Sequence, residues 1–200
     1  PAASDGYLRY KDTESGISPR AIPGLEGYVH LVATDEHDED SSLLSDEFTN
    51  PHKRRMMVEK RARKFETILA DVAPPALEGP AHADVTLIGW GSTHGMIGEA
   101  VTELNAAGIS TNNLQVKWMV PFHGDEIMEI LANAKRTIIV ENNYSGQFAR
   151  YLRSETGFAA DGHIRKYDGE PFMPHHIVDG VKAQINGETD KYVPYQEITV

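Results

Sequence analysis

Cysteine is missing from all 200 residues. That absence excludes disulfides, thiolate-bound zinc and any iron–sulfur cluster held by cysteines of this chain. If the chain belongs to a redox enzyme, the redox metal sits on another polypeptide. Basic residues are scarce beside acidic ones. Lys plus Arg number 19 against 30 Asp plus Glu, a net charge of -11. Nucleic-acid binders usually show a basic face and a high pI, so that class is disfavoured. Attraction to anionic membranes is disfavoured on the same ground. Long apolar runs are lacking too: none approaches the ~20 residues that span a bilayer. The opening PAASDGYLRY lacks the basic-then-apolar layout of a signal peptide. A cytoplasmic setting is the simplest expectation. What is present is an ordinary apolar share in a chain long enough for one core, or one domain with an appendage.

Residues 1 to about 50 read as irregular. GISPRAIPG holds two prolines and two glycines, which punctuate turns. A strand-like run follows at 28–33, and then the acidic DEHDEDSSLLSDEF, read as a solvated loop. A helix is expected from Asn50-Pro51, since Asn caps helices well and Pro suits their first position. Val58, Ala62, Phe65 and Leu69 fall at helical spacing as one apolar stripe. Lys53, Arg54, Arg55, Lys60, Arg61, Arg63 and Lys64 occupy the other faces. They form either a solvated surface or a basic docking face, for the acidic loop before it or for a partner subunit. Residues 73–83, with their Pro, Ala and Gly, read as a linker.

From Asp84 strands and helices alternate. Strands are expected at 85–90, 114–120 and 137–140, and helices at 95–107, 124–134 and from 146. The alternation implies α/β architecture, a doubly wound and mostly parallel sheet covered by helices on both faces. A turn is placed at Asp168-Gly169, a last helix at 174–186, and an extended tail at 189–200.

In such a sheet ligands bind beyond the carboxyl ends of the strands. Three segments meet there: 89–95, 121–124 and 141–147. A dinucleotide site fails on two details. The glycines fall as G-x-G-x-x-x-G rather than G-x-G-x-x-G, and the second strand ends in Trp118-Met-Val-Pro121 with no acid for a ribose hydroxyl. Glu141 is a candidate general base or a carboxylate capping a turn. Tyr144 and Gln147 are candidate interface residues. His37 lies among Asp35, Glu36, Asp38 and Glu39, but neighbours on an extended chain point to opposite faces, a poor fit to one coordination sphere. No metal site is assigned. The adjacent His175 and His176 read as surface or cap residues. No nucleophile, base and orienting group form a set.

Longer motifs carry the reading further. YLRYKDTESGISPRAIPG (7–24) is similar to the segment that closes the pyrimidine-binding domain in the α subunit of 2-oxoacid:ferredoxin oxidoreductases. DEHDED (35–40) resembles that family's acidic segment, and HKRRMMVEKRARKFE (52–66) its basic helix. LIGWGSTHG (87–95), VPFHGDEI (120–127), VENNYSGQFARYLR (140–153) and KYDGEPF (166–172) follow in the family's order, in a domain that resembles a transketolase C-terminal domain. The likeness runs from Tyr7 to about Pro174. Thr34-Asp35 stand where the family often has Gly-Asn, and Ser41-Ser42 replace a usual glycine.

The resemblance implies an enzyme that oxidatively decarboxylates a 2-oxoacid, of the 2-oxoglutarate type, onto coenzyme A and reduces ferredoxin. It implies thiamine diphosphate with Mg and a [4Fe–4S] cluster, held mainly by the β subunit. The cofactor-activating glutamate and a Tyr-Pro-Ile-Thr-Pro substrate segment belong to the domain upstream of Pro1. Catalytic and cofactor-binding residues are therefore not assigned on this chain, which is expected to be inactive alone, as a proteolytic piece or one chain of a larger set. Residues 1–72 are the expected tail end of the pyrimidine-binding domain, 73–83 a linker, and 84–200 the transketolase C-terminal-like domain. The expected partners are the β subunit and the upstream part of the α subunit, with ferredoxin and coenzyme A met through the complex. Ser18, Arg20, Ser92 and Asn143 are the candidates to face the catalytic assembly. Arg20 leads, because a guanidinium binds a carboxylate or phosphate bidentately. The alternatives are a self-sufficient nucleotide- or coenzyme A-binding domain using the 89–95 turn, and a non-enzymatic scaffold.

Overall fold

A computed structural model describes residues 6–32, 34–44 and 50–195. The chain divides into two compact units, Pro1–Ala73 and Pro74–Val200.

In the first unit, helix α1 spans Pro51–Asp71. Its start follows from the sequence: the Asn50 side chain accepts from the Lys53 amide at 3.1 Å, and Pro51 takes a position whose missing N–H costs nothing. Of the readings left open for its basic side, the structure takes the docking face for the acidic loop. Met57 and Lys60 are buried, while Val58 and Phe65 are 50% and 45% exposed. The irregular arm packs across the basic side of the helix instead of the apolar stripe. Charge explains the choice. Arg61 forks onto Glu36 at 2.9 and 2.7 Å, Lys53 pairs with Asp38, and Arg63 pairs with Asp12. The acidic loop is thus a clamp on the helix rather than a solvated excursion. His37 and Leu43 form an isolated antiparallel bridge that closes it. Ser41 sits there at φ 76, the left-handed conformation that favours glycine, and its hydroxyl donates to the Leu31 carbonyl at 2.7 Å. The strand expected at 28–33 does not form over its described residues, where Val29 is 98% exposed; Ala33 lies outside the described residues.

The second unit is a six-stranded sheet in the order β1-β3-β2-β4-β5-β6. Its strands are β1 (Leu77–Glu78), β2 (Val85–Trp90), β3 (Thr111–Val116), β4 (Thr137–Glu141), β5 (Gly162–Arg165) and β6 (Lys191–Tyr192). All neighbours are parallel except β1, which pairs antiparallel with β3. The helices are α2 (His94–Ala106), α3 (Gly124–Leu131), α4 (Gln147–Thr156) and α5 (Pro174–Ile185). Alternation along the strands divides the core. Leu87, Ile138, Val140 and Ile164 pack with Ile97, Leu104 and Ile177 of α2 and α5 on one face. Ile88, Leu114, Val116 and Ile139 pack with Ile127, Phe148 and Leu152 of α3 and α4 on the other. The sheet is therefore doubly wound, as expected.

Several elements depart from expectation, among them β5, which the sequence reading did not place. The segment read as a linker contributes β1. Strand β3 begins three residues early, because Thr111, Asn112 and Asn113 are buried although polar. Asn112 donates to the Pro80 carbonyl at 2.9 Å and Asn113 to Glu78 at 3.3 Å, so β1 and its flank supply their partners. The apolar residues that drew the expectation onward are outside the core: Trp118 is 48% and Val120 63% exposed. The tail expected to be extended forms β6 at Lys191–Tyr192; residues 196–200 of it lie outside the described residues.

Candidate functional site

The chain leaves β2 for β3 on one side and then crosses to β4 on the other. The carboxyl ends of β2 and β4 thus flank a topological switch point, where open α/β sheets hold their ligands. Glu141 ends β4 there with no exposed surface. Its carboxylate accepts from the Phe148 amide at 2.8 Å, the Ala149 amide at 3.0 Å and Asn143 Nδ2 at 2.9 Å. Asn143 Oδ1 accepts in turn from the Gly146 and Gln147 amides at 2.7 and 3.1 Å. The first four residues of a helix leave amides without internal partners, and a carboxylate at that end also meets the positive end of the dipole. Of the two roles left open for Glu141, the geometry selects the cap. Its three hydrogen bonds tie both oxygens to the start of α4 and to Asn143, and with no exposed surface the carboxylate serves the fold as a cap.

Gly146 completes the turn at φ 67. A side chain on it would collide with the Arg165 guanidinium, which lies across the turn and donates to the Tyr144 carbonyl at 3.3 Å. The residue type here is set twice, by conformation and by close approach.

On the other side of the switch point, Gly91–Thr93 form one 3-10 turn ahead of α2. Thr93 is buried and donates to the Trp90 carbonyl at 2.9 Å. Ser92 is exposed. His94 Nε2 meets Glu78 at 2.8 Å, tying the start of α2 to β1 and holding the Glu78 carboxyl below its usual range. Trp90, Met119, Val120, Gln147, Phe148 and Tyr151 line a cavity of about 260 Å³ at this end of the sheet. Its lining is aromatic and aliphatic apart from Gln147 and the Tyr151 hydroxyl, which donates to the Met119 carbonyl. Such a surface suits an apolar contact and offers no cradle for a pyrophosphate.

In the first unit, Ser18 donates to the Lys11 carbonyl at 3.0 Å and accepts from Lys60 Nζ at 2.6 Å. Lys60 is 3% exposed, and burial pushes its ammonium below the usual range. Ser18 thus partners a buried charge. Arg20 is exposed and lines a wide cavity of about 630 Å³ with Arg9, Pro23, Tyr28 and His30. Its guanidinium makes no hydrogen bond or ion pair with any other described residue, so its fork is available.

The structure therefore joins Asn143 to Glu141, seats Ser18 on Lys60, and leaves Ser92 and Arg20 exposed. Sequence reasoning missed the burial of Lys60, whose partner Ser18 lies 42 residues distant in the chain. It also missed β5, four residues long, and the arginines Arg150, Arg153 and Arg165 that this strand and α4 bring together. The i,i+3 spacing of Arg150 and Arg153 was a visible signal.

Residues 83–177 match the model of the pyruvate:ferredoxin oxidoreductase core domain II. The α subunit of 2-oxoacid:ferredoxin oxidoreductase 2 from Aeropyrum pernix is 36% identical over 190 residues, 94% of this chain and 29% of that protein. This chain is homologous to 2-oxoacid:ferredoxin oxidoreductase α subunits. Subunit KorA of a 2-oxoglutarate oxidoreductase from Mycobacterium tuberculosis is 29% identical over 178 residues, covering 88% of this chain and 26% of that one. Among solved structures, a 2-oxoglutarate:ferredoxin oxidoreductase from Magnetococcus marinus, with 2-oxoglutarate, coenzyme A and succinyl-CoA bound, superposes with a TM-score of 0.74. It is 32% identical, and the match covers 90% of this chain and 31% of that chain. The chain thus spans under a third of the α subunits it resembles. The motifs at 87–95, 120–127, 140–153 and 166–172 all fall within the core domain II match.

Proposed function

We propose that this chain is the C-terminal part of the α subunit of a thiamine diphosphate-dependent 2-oxoglutarate:ferredoxin oxidoreductase. The whole enzyme oxidatively decarboxylates the 2-oxoacid to an acyl-CoA and reduces ferredoxin. The observation that carries this reading is the likeness to an α subunit along 94% of the chain. The choice of 2-oxoglutarate is supported by the Magnetococcus neighbour, described with 2-oxoglutarate, coenzyme A and succinyl-CoA bound. In this reading residues 1–72 close the pyrimidine-binding domain, 73–83 connect, and 84–200 form the transketolase C-terminal-like domain. The partners are the β subunit and the upstream part of the α subunit, with ferredoxin and coenzyme A met through the complex. The setting is the cytoplasm; no helix among the described residues is long and apolar enough to cross a membrane.

The residues present do not fit a cysteine-held cluster or a metal ion. A [4Fe–4S] cluster has no thiolate here, since the chain has no cysteine. The described residues hold no group of three His, Asp or Glu placed for a metal ion. In this reading thiamine diphosphate, its Mg and the cluster are held mainly by the β subunit, and no catalytic step is routed through this chain. Its part is structural: a rigid switch point capped by Glu141 and Asn143, and surfaces left open for neighbours. Arg20, Ser92 and the exposed stripe of Val58 and Phe65 are the surfaces assigned to those contacts.

The test is a substrate panel on the reconstituted enzyme. The chain is combined with the remainder of the α subunit and the β subunit, and coenzyme A-dependent ferredoxin reduction is followed. The expected result is the highest kcat/KM with 2-oxoglutarate. A preference for pyruvate or a branched-chain 2-oxoacid would overturn the substrate assignment, and failure of the pieces to associate would overturn the subunit assignment.

A further inference from the structure

Arg150, Arg153, Arg165 and His163 line one pocket of about 240 Å³ between β5 and α4, floored by Phe158, Ala159 and Ala160. The pocket follows from two periodicities. Along β5, Ile164 faces the core shared with α5, so His163 and Arg165 face the α4 side. On α4, Phe148 and Leu152 turn inward, which leaves Arg150 and Arg153, one helical turn apart, on the flank beside β5.

These three guanidinium groups stand apart in a chain whose net charge is -11. None of the ion pairs among the described residues involves Arg150, Arg153 or Arg165. The side chains of Arg150 and Arg153 make no hydrogen bond to any other described residue. Arg165 uses one nitrogen on the Tyr144 carbonyl, and its Nε is buried without a partner. His163 Nδ1 is buried and unpartnered as well. Burial, then Arg165, push the His163 ring below its ordinary pKa, so it stays neutral at neutral pH and can donate without adding charge. Glu141, in register with Arg165 on the neighbouring strand, spends its carboxylate on the α4 amides and Asn143 and forms no ion pair with these arginines, so an anion in the pocket would meet three like charges that lack an ion-pair partner among the described residues. The amides at the start of α4 are already taken by Glu141 and Asn143, so side chains alone would hold the ligand.

We propose that this pocket binds a phosphate or phosphate-ester group. Three guanidinium groups lining one pocket match a dianion with several oxygens better than a single carboxylate. Phe158, Ala159 and Ala160 give the pocket an apolar side. This inference is independent of the enzyme assignment above, since it concerns binding to the chain itself.

The test is calorimetric titration of the 200-residue chain with inorganic phosphate and with pyrophosphate at low ionic strength. The expected result is saturable binding at one site. Arg150→Gln and Arg153→Gln should each weaken it at least tenfold; both side chains are exposed, so the variants should fold, as circular dichroism would check. Arg55→Gln, on α1, should leave binding unchanged. Absence of saturation would overturn the proposal, as would equal weakening by Arg55→Gln, which would indicate diffuse charge. Tighter binding of a glutamate-rich peptide than of pyrophosphate would assign the pocket to a protein carboxylate and overturn the phosphate reading.

Discussion

Asn143 Nδ2 donates to Glu141 Oε2 at 2.9 Å, and the pair together occupies four amides at the start of α4. Removing the carboxylate strands two buried N–H groups. Each lost hydrogen bond to a charged acceptor is worth about 1.5–3 kcal/mol. Glu141→Ala should therefore destabilise the second unit by roughly 3 kcal/mol, and Asn143→Ala by about 1 kcal/mol, as for a lost cap. Urea unfolding measures both. Equal stability of Glu141→Ala and the parent would remove the capping role.

Ser18 and Lys60 make a second dependent pair. Ser18→Ala would leave a buried ammonium without the hydroxyl it donates to. The expected loss is about 1–3 kcal/mol, the penalty for an unsatisfied buried donor. Replacing Lys60 by Met in the same background should recover part of it, because the charge is removed together with its need for a partner. A double-mutant cycle reads the coupling, and additive effects would contradict it.

Stability should also fall in mild acid. The Met173 amide donates to His176 Nδ1 at 3.1 Å, which requires that nitrogen to be unprotonated. Burial first, then His175 and Lys166, depress the His176 pKa below its ordinary 6.5. The unfolded chain then binds more protons than the fold just below that value, so stability rises with pH in this window. The contribution is complete above about pH 6.5 and is lost as pH falls toward the folded pKa. His163, also depressed by burial, acts in the same direction. Unfolding free energies between pH 7 and 5 should decline, and His176→Gln should make the decline shallower. A slope unchanged by that substitution would count against the cap.

Val58 and Phe65 present an apolar stripe that the fold does not cover. Phe65→Glu should change the stability of the isolated chain by no more than about 0.5 kcal/mol, as for other exposed positions. In the assembled enzyme it should weaken retention of the chain by the other subunits, read by size-exclusion chromatography. Loss of stability in the isolated chain would show that the stripe is part of the core.

The doubly wound core was legible because it rests on periodicity, which local sequence carries. VTLIGW and TIIV announced β2 and β4, and Asn50-Pro51 announced α1. The face of α1 was legible only as one of two alternatives, because the choice depends on an arm whose carboxylates pair with the basic side while the apolar stripe stays exposed. The start of β3 was hidden by two buried amides, Asn112 and Asn113, whose partners lie on β1 and its flank. At the switch point, the residue types in ENNYSG were readable as turn chemistry. That Asn143 would face Glu141, and not the crevice, depended on the positions of the α4 amides.

The central claim is that the chain completes an enzyme whose catalytic groups lie elsewhere. It is tested most directly by measuring 2-oxoglutarate- and coenzyme A-dependent ferredoxin reduction by the remaining subunits with and without this chain. The account predicts turnover only when the chain is present, and none from the chain alone. Full turnover without it would contradict the account.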